Sequence, residues 1–210
     1  MRCGCGPSGC GCRRRGRSRA GYSSTRCRTC SIGRSLEDFA RECFRVMLDV
    51  DRHVYQVLTK RPARAARFVR RNADLFPQGF PGHLWIGTSV EDQSVDYRVR
   101  HLLAVPAAVR FLSCEPLIGP LSLCKVLNSG EIHWVIAGGE SGPGWRPVDP
   151  GWVKALRDEC VAGDVPFFFK QWGGRTPKAG GRKLEGEEWN QVPEWGFGET
   201  EVWLTNGSSR

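Results

Sequence analysis

The chain has no apolar run long enough to span a membrane, and no apolar stretch near its start that would serve as a secretory leader. Neither a helical span nor secretion is therefore expected, and a cytoplasmic location follows by default. Titratable imidazoles are scarce: there are four histidines, and His53, His83, His101 and His133 fall at strand starts or in helix-like stretches, where they read as structural residues. No Ser-His-Asp arrangement, nucleophile elbow or Walker-type phosphate loop is present, so the common hydrolase and nucleotidase chemistries have no signature here. Acidic residues are absent altogether before Glu37.

That last absence changes the reading of charge. The formal net charge is +9, with 31 Lys or Arg against 22 Asp or Glu. Residues 1–34 hold nine arginines and no acid, leaving 22 basic and 22 acidic residues in the rest of the chain. A basic protein normally suggests a nucleic-acid or anionic partner. Here the body is neutral, so no nucleic-acid partner is expected unless the Arg-rich arm itself is a purposeful binding segment.

The arm does not read as folded protein. Arg, Gly, Cys and Ser supply 25 of the first 32 residues, with no apolar periodicity. GC-rich DNA read in the wrong frame yields this composition. Shifting permitted codons by one base turns Gly21 to Ile32 into Val-Phe-Val-Asn-Ser-Met-Ser-Asp-Leu-Phe-His, a strand followed by a polar loop. We therefore expect residues 1–34 to be a disordered, frameshifted or non-native segment, with native sequence resuming near Ser35. Resequencing the locus tests this, and confirmation of the printed frame would sink it.

Cysteine follows the same division. Cys3, Cys5, Cys10, Cys12, Cys27 and Cys30 lie in the arm, and only Cys27-Arg28-Thr29-Cys30 has the spacing of a metal knuckle. No metal site is assigned. Cys43, Cys114, Cys124 and Cys160 sit among apolar residues and read as reduced core residues.

From residue 35 onward, helix-like and strand-like segments alternate. Ser35 with Asp38 resembles a capping box, and Phe39, Cys43, Phe44 and Met47 then recur at helical spacing, predicting a helix over 36–50. Strands are predicted at 53–59, 84–88, 109–113, 132–137 and 165–170, with helices at 63–72, 95–103 and 150–162. Short, nearly continuous apolar strands suit burial on both faces, the situation of a parallel sheet. The expected class is α/β: a partial (β/α) barrel of about five parallel strands alternating with helices, its N-terminal strands missing. The domain runs over 35–193, and 194–210 form a tail. The Gly- and Trp-rich chain after Gly173 is expected to cover the barrel end as a partly hairpin-like strap. The strand around 53–59 is left with an unpaired edge, which predicts poor solubility.

A polar cluster follows every strand. In parallel α/β folds all strand C-termini open on one side, where ligands bind. The candidate ligand-binding residues are Thr59, Lys60, Arg61, Ser89, Glu91, Asp92, Ser113, Glu115, Gly138, Gly139, Glu140, Ser141, Arg146, Lys170 and Gln171. Lys60 and Arg61 suit a phosphate or carboxylate; Glu115 and Glu140 suit an amine or ribose; Gly138-Gly139 permit close approach to the backbone. Trp145 and Trp172 are candidate walls for a ring. The same charges would also serve as salt-bridged closure of a barrel rim. A small-molecule or nucleotide-like ligand is the expected partner, and no catalytic residue is assigned.

Five segments carry a resemblance: Gln56–Pro62, Trp85–Gln93, Arg110–Leu117, Trp134–Pro143 and Pro166–Gly174. In this order they resemble the phage and bacterial family of unknown function named after mycobacteriophage gene products thirty-seven and sixty-eight. That family is viewed as TIM-barrel-like and radical-SAM-like, and the frame-shifted peptide resembles one of its strands and loops. The resemblance implies a [4Fe–4S] cluster and S-adenosylmethionine in full-length relatives, the cluster held by a Cys-x3-Cys-x2-Cys-type motif near the start. This chain has no equivalent motif, so no cofactor is expected in it, and the printed protein is expected to be inactive. The alternatives are a non-catalytic ligand-binding protein on a barrel-like scaffold, and nucleic-acid binding through the Arg-rich N-terminus.

Overall fold

Three strands dominate the interior because almost every residue in them is buried: β2 (Leu84–Ser89), β3 (Val109–Cys114) and β4 (Trp134–Gly138). The computed structural model describes residues 36–194. The expectations for residues 1–34, for the Ser35 cap and for the tail from 195 onward lie outside the described residues. Flanking the central three are β1 (Tyr55–Thr59) and β5 (Phe167–Gln171). All five pair in parallel, in the order β1-β2-β3-β4-β5.

Helices alternate with them: α1 (Leu36–Asp49), α2 (Pro62–Arg71), α3 (Tyr97–Leu103), the single turn α4 (Cys124–Leu127) and α5 (Pro150–Ala162). Pro62 opens α2, where its missing N–H costs nothing, and Asp149 caps α5 by accepting from Gly151 N. The fold is the α/β class expected, in the sequential strand order of a (β/α) barrel rather than the reversing order of a doubly wound sheet. Among the described residues the sheet is not closed.

Side-chain alternation splits the interior into two layers. Leu84, Ile86, Leu112, Val135, Ala137, Phe167 and Phe169 face the helices and form the main core with Leu102, Val153 and Leu156. The opposite face carries an aromatic cluster of Trp85, Phe111 and Trp134 with Val109, flanked by Ile136 and Phe168. Trp134 meets Trp85 edge-on at 5.9 Å between centroids and Phe168 at 6.1 Å. Such contacts add about 0.5–1.5 kcal/mol each beyond area burial. Gly87 makes room for this layer: an added Cβ would stand 2.4 Å from the Phe111 ring.

Several boundaries move inward by two residues. The strands predicted at 53, 132 and 165 begin at Tyr55, Trp134 and Phe167. Ile132 and Val165 are buried core residues that precede the ladder, so hydrophobicity alone placed the strand starts too early. The helix predicted from Val95 begins at Tyr97, after a 3₁₀ turn over Gln93–Val95 capped by Asp92. The inward face of α1 also differs: Phe44 is buried, whereas Phe39 is 63% exposed and Cys43 faces solvent. Cys124 is exposed too, so only Cys114 and Cys160 are the core cysteines expected.

The C-terminal chain forms a small hairpin of β6 (Lys183–Leu184) and β7 (Glu187–Glu188). It then runs antiparallel along the outer edge of β5, with Phe169 N donating to Trp189 O and Gln191 N to Phe167 O. The hairpin is as expected, but the strap that follows lines a sheet edge rather than capping the strand ends. The other edge, β1, has β2 as its only strand neighbour among the described residues. Among the described residues no helix is long and apolar enough to cross a membrane.

Candidate functional site

The parallel ladder sets the site, because it brings five strand ends to one rim. Ser89 pairs in register with Ser113, and both are buried beneath that rim. The loops above are stitched by backbone bonds: Val90 N donates to Ser113 O, Ile118 N to Glu91 O and Leu117 N to Gly138 O. The Glu115–Pro116 peptide is cis.

Two ion-paired clusters result. In the first, Glu91 is 7% exposed and lies between two cations. Arg98 Nη1 donates to Glu91 Oε2 at 2.8 Å and to Ser89 O at 2.9 Å. Lys60 Nζ stands 2.5 Å from Glu91 Oε1 in a close ion pair. Burial pushes the Glu91 carboxyl up, yet Lys60 and Arg98 together hold it below its ordinary value. In the second cluster, Lys170 Nζ lies 3.0 Å from Glu115 Oε1. Gln171 Nε2 donates to Glu115 at 3.4 Å and to Ser141 Oγ at 3.2 Å. Lys60 and Lys170 keep side chains 62% and 51% exposed, so their ammonium heads stay accessible while the carboxylates sit deeper.

The other candidates take separate places. Arg146 grips Glu140 in a two-pronged contact at 2.8 and 2.9 Å and adds its own backbone N–H. This pair belongs to the loop after β4. Asp92 accepts from Ser94 N and Ser94 Oγ, which is a capping role. Thr59 Oγ1 accepts from Arg61 N, and Arg61 lines the cleft beside α2 instead of joining either cluster. At Gly139 the close approach is made by the chain's own Trp172 carbonyl, 2.0 Å from where a Cβ would stand. Gly138 would only touch Glu115 and Lys170. Trp172 packs edge-on against Phe169 at 4.8 Å and donates to Lys183 O, whereas Trp145 is 39% exposed.

Sequence reasoning missed Arg98. It sits in the first turn of the helix after β2, where a long side chain reaches back over the strand end. A cation there, opposite a buried Glu, was the available signal.

The Glu140–Arg146 contact gives a pH prediction. Hydrogen bonds from the Arg146 side chain and backbone depress the Glu140 carboxyl to about 2. The folded value lies below the unfolded one. The pair's contribution is therefore present above the ordinary carboxylate range and lost as pH falls through about 2. Titration of the full chain followed by carboxyl NMR is expected to place Glu140 near this value. Arg146→Ala removes the side-chain bonds but keeps the backbone N–H, so it should raise the midpoint toward the ordinary range, and an unchanged midpoint in that variant would contradict the assignment.

Among the described residues no three His, Cys, Asp or Glu side chains converge to hold a metal. Burial pushes the Cys160 thiol up to about 12 and raises Cys114 as well, which disfavours the thiolate form that ligation needs. The described residues do not fit a [4Fe–4S] centre, and the six N-terminal cysteines lie outside them.

An open parallel α/β sheet with a polar, ion-paired rim at its strand ends defines the class. Within it, the profile of a family described as protein of unknown function (DUF5131) matches residues 34–193, and the chain belongs to that family. No curated protein and no solved structure matches the chain.

Proposed function

We propose that this chain is an incomplete, catalytically silent member of a radical-SAM-like barrel family that keeps a binding rim for a small anionic, nucleotide-like ligand. The observation carrying this reading is two ion-paired groups, Lys60 with Glu91 and Glu115 with Lys170 and Gln171, at the ends of sequentially ordered parallel strands. The absent cluster motif accounts for silence in reductive chemistry, because without thiolates no iron is held.

At such a rim the exposed ammonium heads of Lys60 and Lys170 meet the anion, and Glu91 and Glu115 position them. Displacing a lysine from its carboxylate leaves that carboxylate able to accept from a ribose hydroxyl or an amine. The test is calorimetric titration of the full chain with AMP and, as its uncharged counterpart, adenosine. Saturable AMP binding is expected, about tenfold or more tighter than adenosine and lost to a similar degree in Lys60→Ala/Lys170→Ala. Absence of saturable binding, or AMP binding indifferent to both lysines, would remove the reading.

A further inference from the structure

Among the described residues, one edge of the sheet is covered and the other is not. Residues 189–191 pair along β5, but nothing among the described residues pairs along β1. Tyr55 N donates to His83 O, so Tyr55, Val57 and Thr59 point their backbone groups toward β2. By strand alternation Gln56 and Leu58 point theirs outward, leaving two donors and two acceptors along the free edge.

A cleft of about 690 Å³ runs along that edge. Val57, Leu58 and Thr59 all line it, and consecutive residues point to opposite sheet faces, so the cleft opens on the strand's edge. Its apolar floor comes from Phe44, Ala65 and Phe68, and Leu58 is 50% exposed. Its wall is cationic. Arg61, Arg64 and Arg67 line it at helical spacing, are exposed, and form no ion pair among the described residues, where Arg71 has only Glu37, at 3.8 Å. Unpaired arginines beside an apolar floor select an acidic and apolar occupant. The free backbone groups select an extended polypeptide, since a nucleic acid offers no alternating N–H and C=O to match them.

We propose that the free edge of β1, with the arginine wall of α2, docks an extended segment of a partner protein in which acidic and apolar residues alternate. The segment adds a strand to the sheet. Its apolar side chains enter the floor between α1 and α2, and its carboxylates meet Arg61, Arg64 and Arg67. This surface is separate from the rim at the strand ends, so failure of rim binding leaves it intact.

The probe is a fluorescein-labelled peptide alternating Val and Glu, followed by anisotropy against the full chain, with a Val-Lys peptide as control. Saturable binding of the Val-Glu peptide is expected, with the Val-Lys peptide about tenfold or more weaker. Arg64→Glu/Arg67→Glu should weaken the Val-Glu peptide to a similar degree, and these exposed, unpaired side chains should leave the unfolding midpoint in place. Gln56→Pro removes an outward N–H without touching the β1–β2 ladder and should also weaken binding. The peptide charge swap on the unaltered protein keeps the test valid if a variant fails to fold. Equal affinity for both peptides, binding indifferent to the arginine reversal, tighter capture of single-stranded DNA, or a self-associated dimer abolished by that reversal would each overturn the proposal.

Discussion

Replacing Gly173 by alanine is expected to destabilise the domain by about 3 kcal/mol or more. Two costs coincide there. Gly173 has φ +81°, a left-handed conformation that side chains resist. An added Cβ would also stand 2.0 Å from Glu140 O and 2.8 Å from its carbonyl carbon, both backbone atoms that cannot swing aside. The approach is tight because the chains leaving β4 and β5 continue to pair: Gly139 N donates to Gln171 O, Gly174 N to Glu140 O and Gly142 N to Gly174 O. Gly186 is the control, with φ +89° but nothing within 4 Å of its Cβ position. Gly186→Ala should cost only the backbone term, about 1 kcal/mol. Denaturant unfolding of the two variants decides the matter, and equal losses would mean the close approach is not rigid. A damaged Gly173 would also displace Glu140 and Gln171, so rim binding should fall with stability.

Glu91→Gln is expected to cost about 3 kcal/mol, because it strands a buried guanidinium. The Arg98 side chain is 14% exposed and Glu91's is 10%, so water can do little for the unpaired charge. Lys60, 62% exposed, simply turns to solvent. Most of the loss should therefore arise from Arg98. Removing both members, as Glu91→Gln with Arg98→Met, should recover at least half of it, since Met replaces much of the arginine's apolar stem without its charge. A double-mutant cycle by equilibrium unfolding measures this. Additive losses would show that the two groups act independently, against the geometry.

Much of the fold was legible because its three central strands are buried on both faces. Leu84–Thr88 and Val109–Ser113 are largely apolar runs ended by polar residues, the second interrupted by Arg110, and each falls wholly within an observed strand. The α1 face was not legible for a physical reason. Phe39, Cys43 and Val46 form one apolar stripe, and Ala40, Phe44 and Met47 form another next to it. Only packing against Phe68 and Phe76 selects the second.

The rim shows a similar limit. Strand-end polarity named Lys60, Glu91, Glu115, Lys170 and Gln171, and the structure brings them into two ion-paired groups. It offered no way to divide them, since pairing depends on side-chain reach across strands. Glycines presented the opposite difficulty. Gly139 looked like room for a ligand, but that room is taken by the Trp172 backbone, a contact between residues distant in sequence.

We propose that this chain keeps a barrel-type rim without the thiolate arrangement that holds an iron–sulfur cluster. Anaerobic reconstitution of the full chain with ferrous iron and sulfide, followed by S-adenosylmethionine and dithionite, tests it most directly. A colourless protein after desalting is expected, with no bound iron and no cleavage of S-adenosylmethionine. Stoichiometric iron and sulfide retained with visible cluster absorption, together with reductive cleavage, would contradict it and place working thiolates in the N-terminal cysteines.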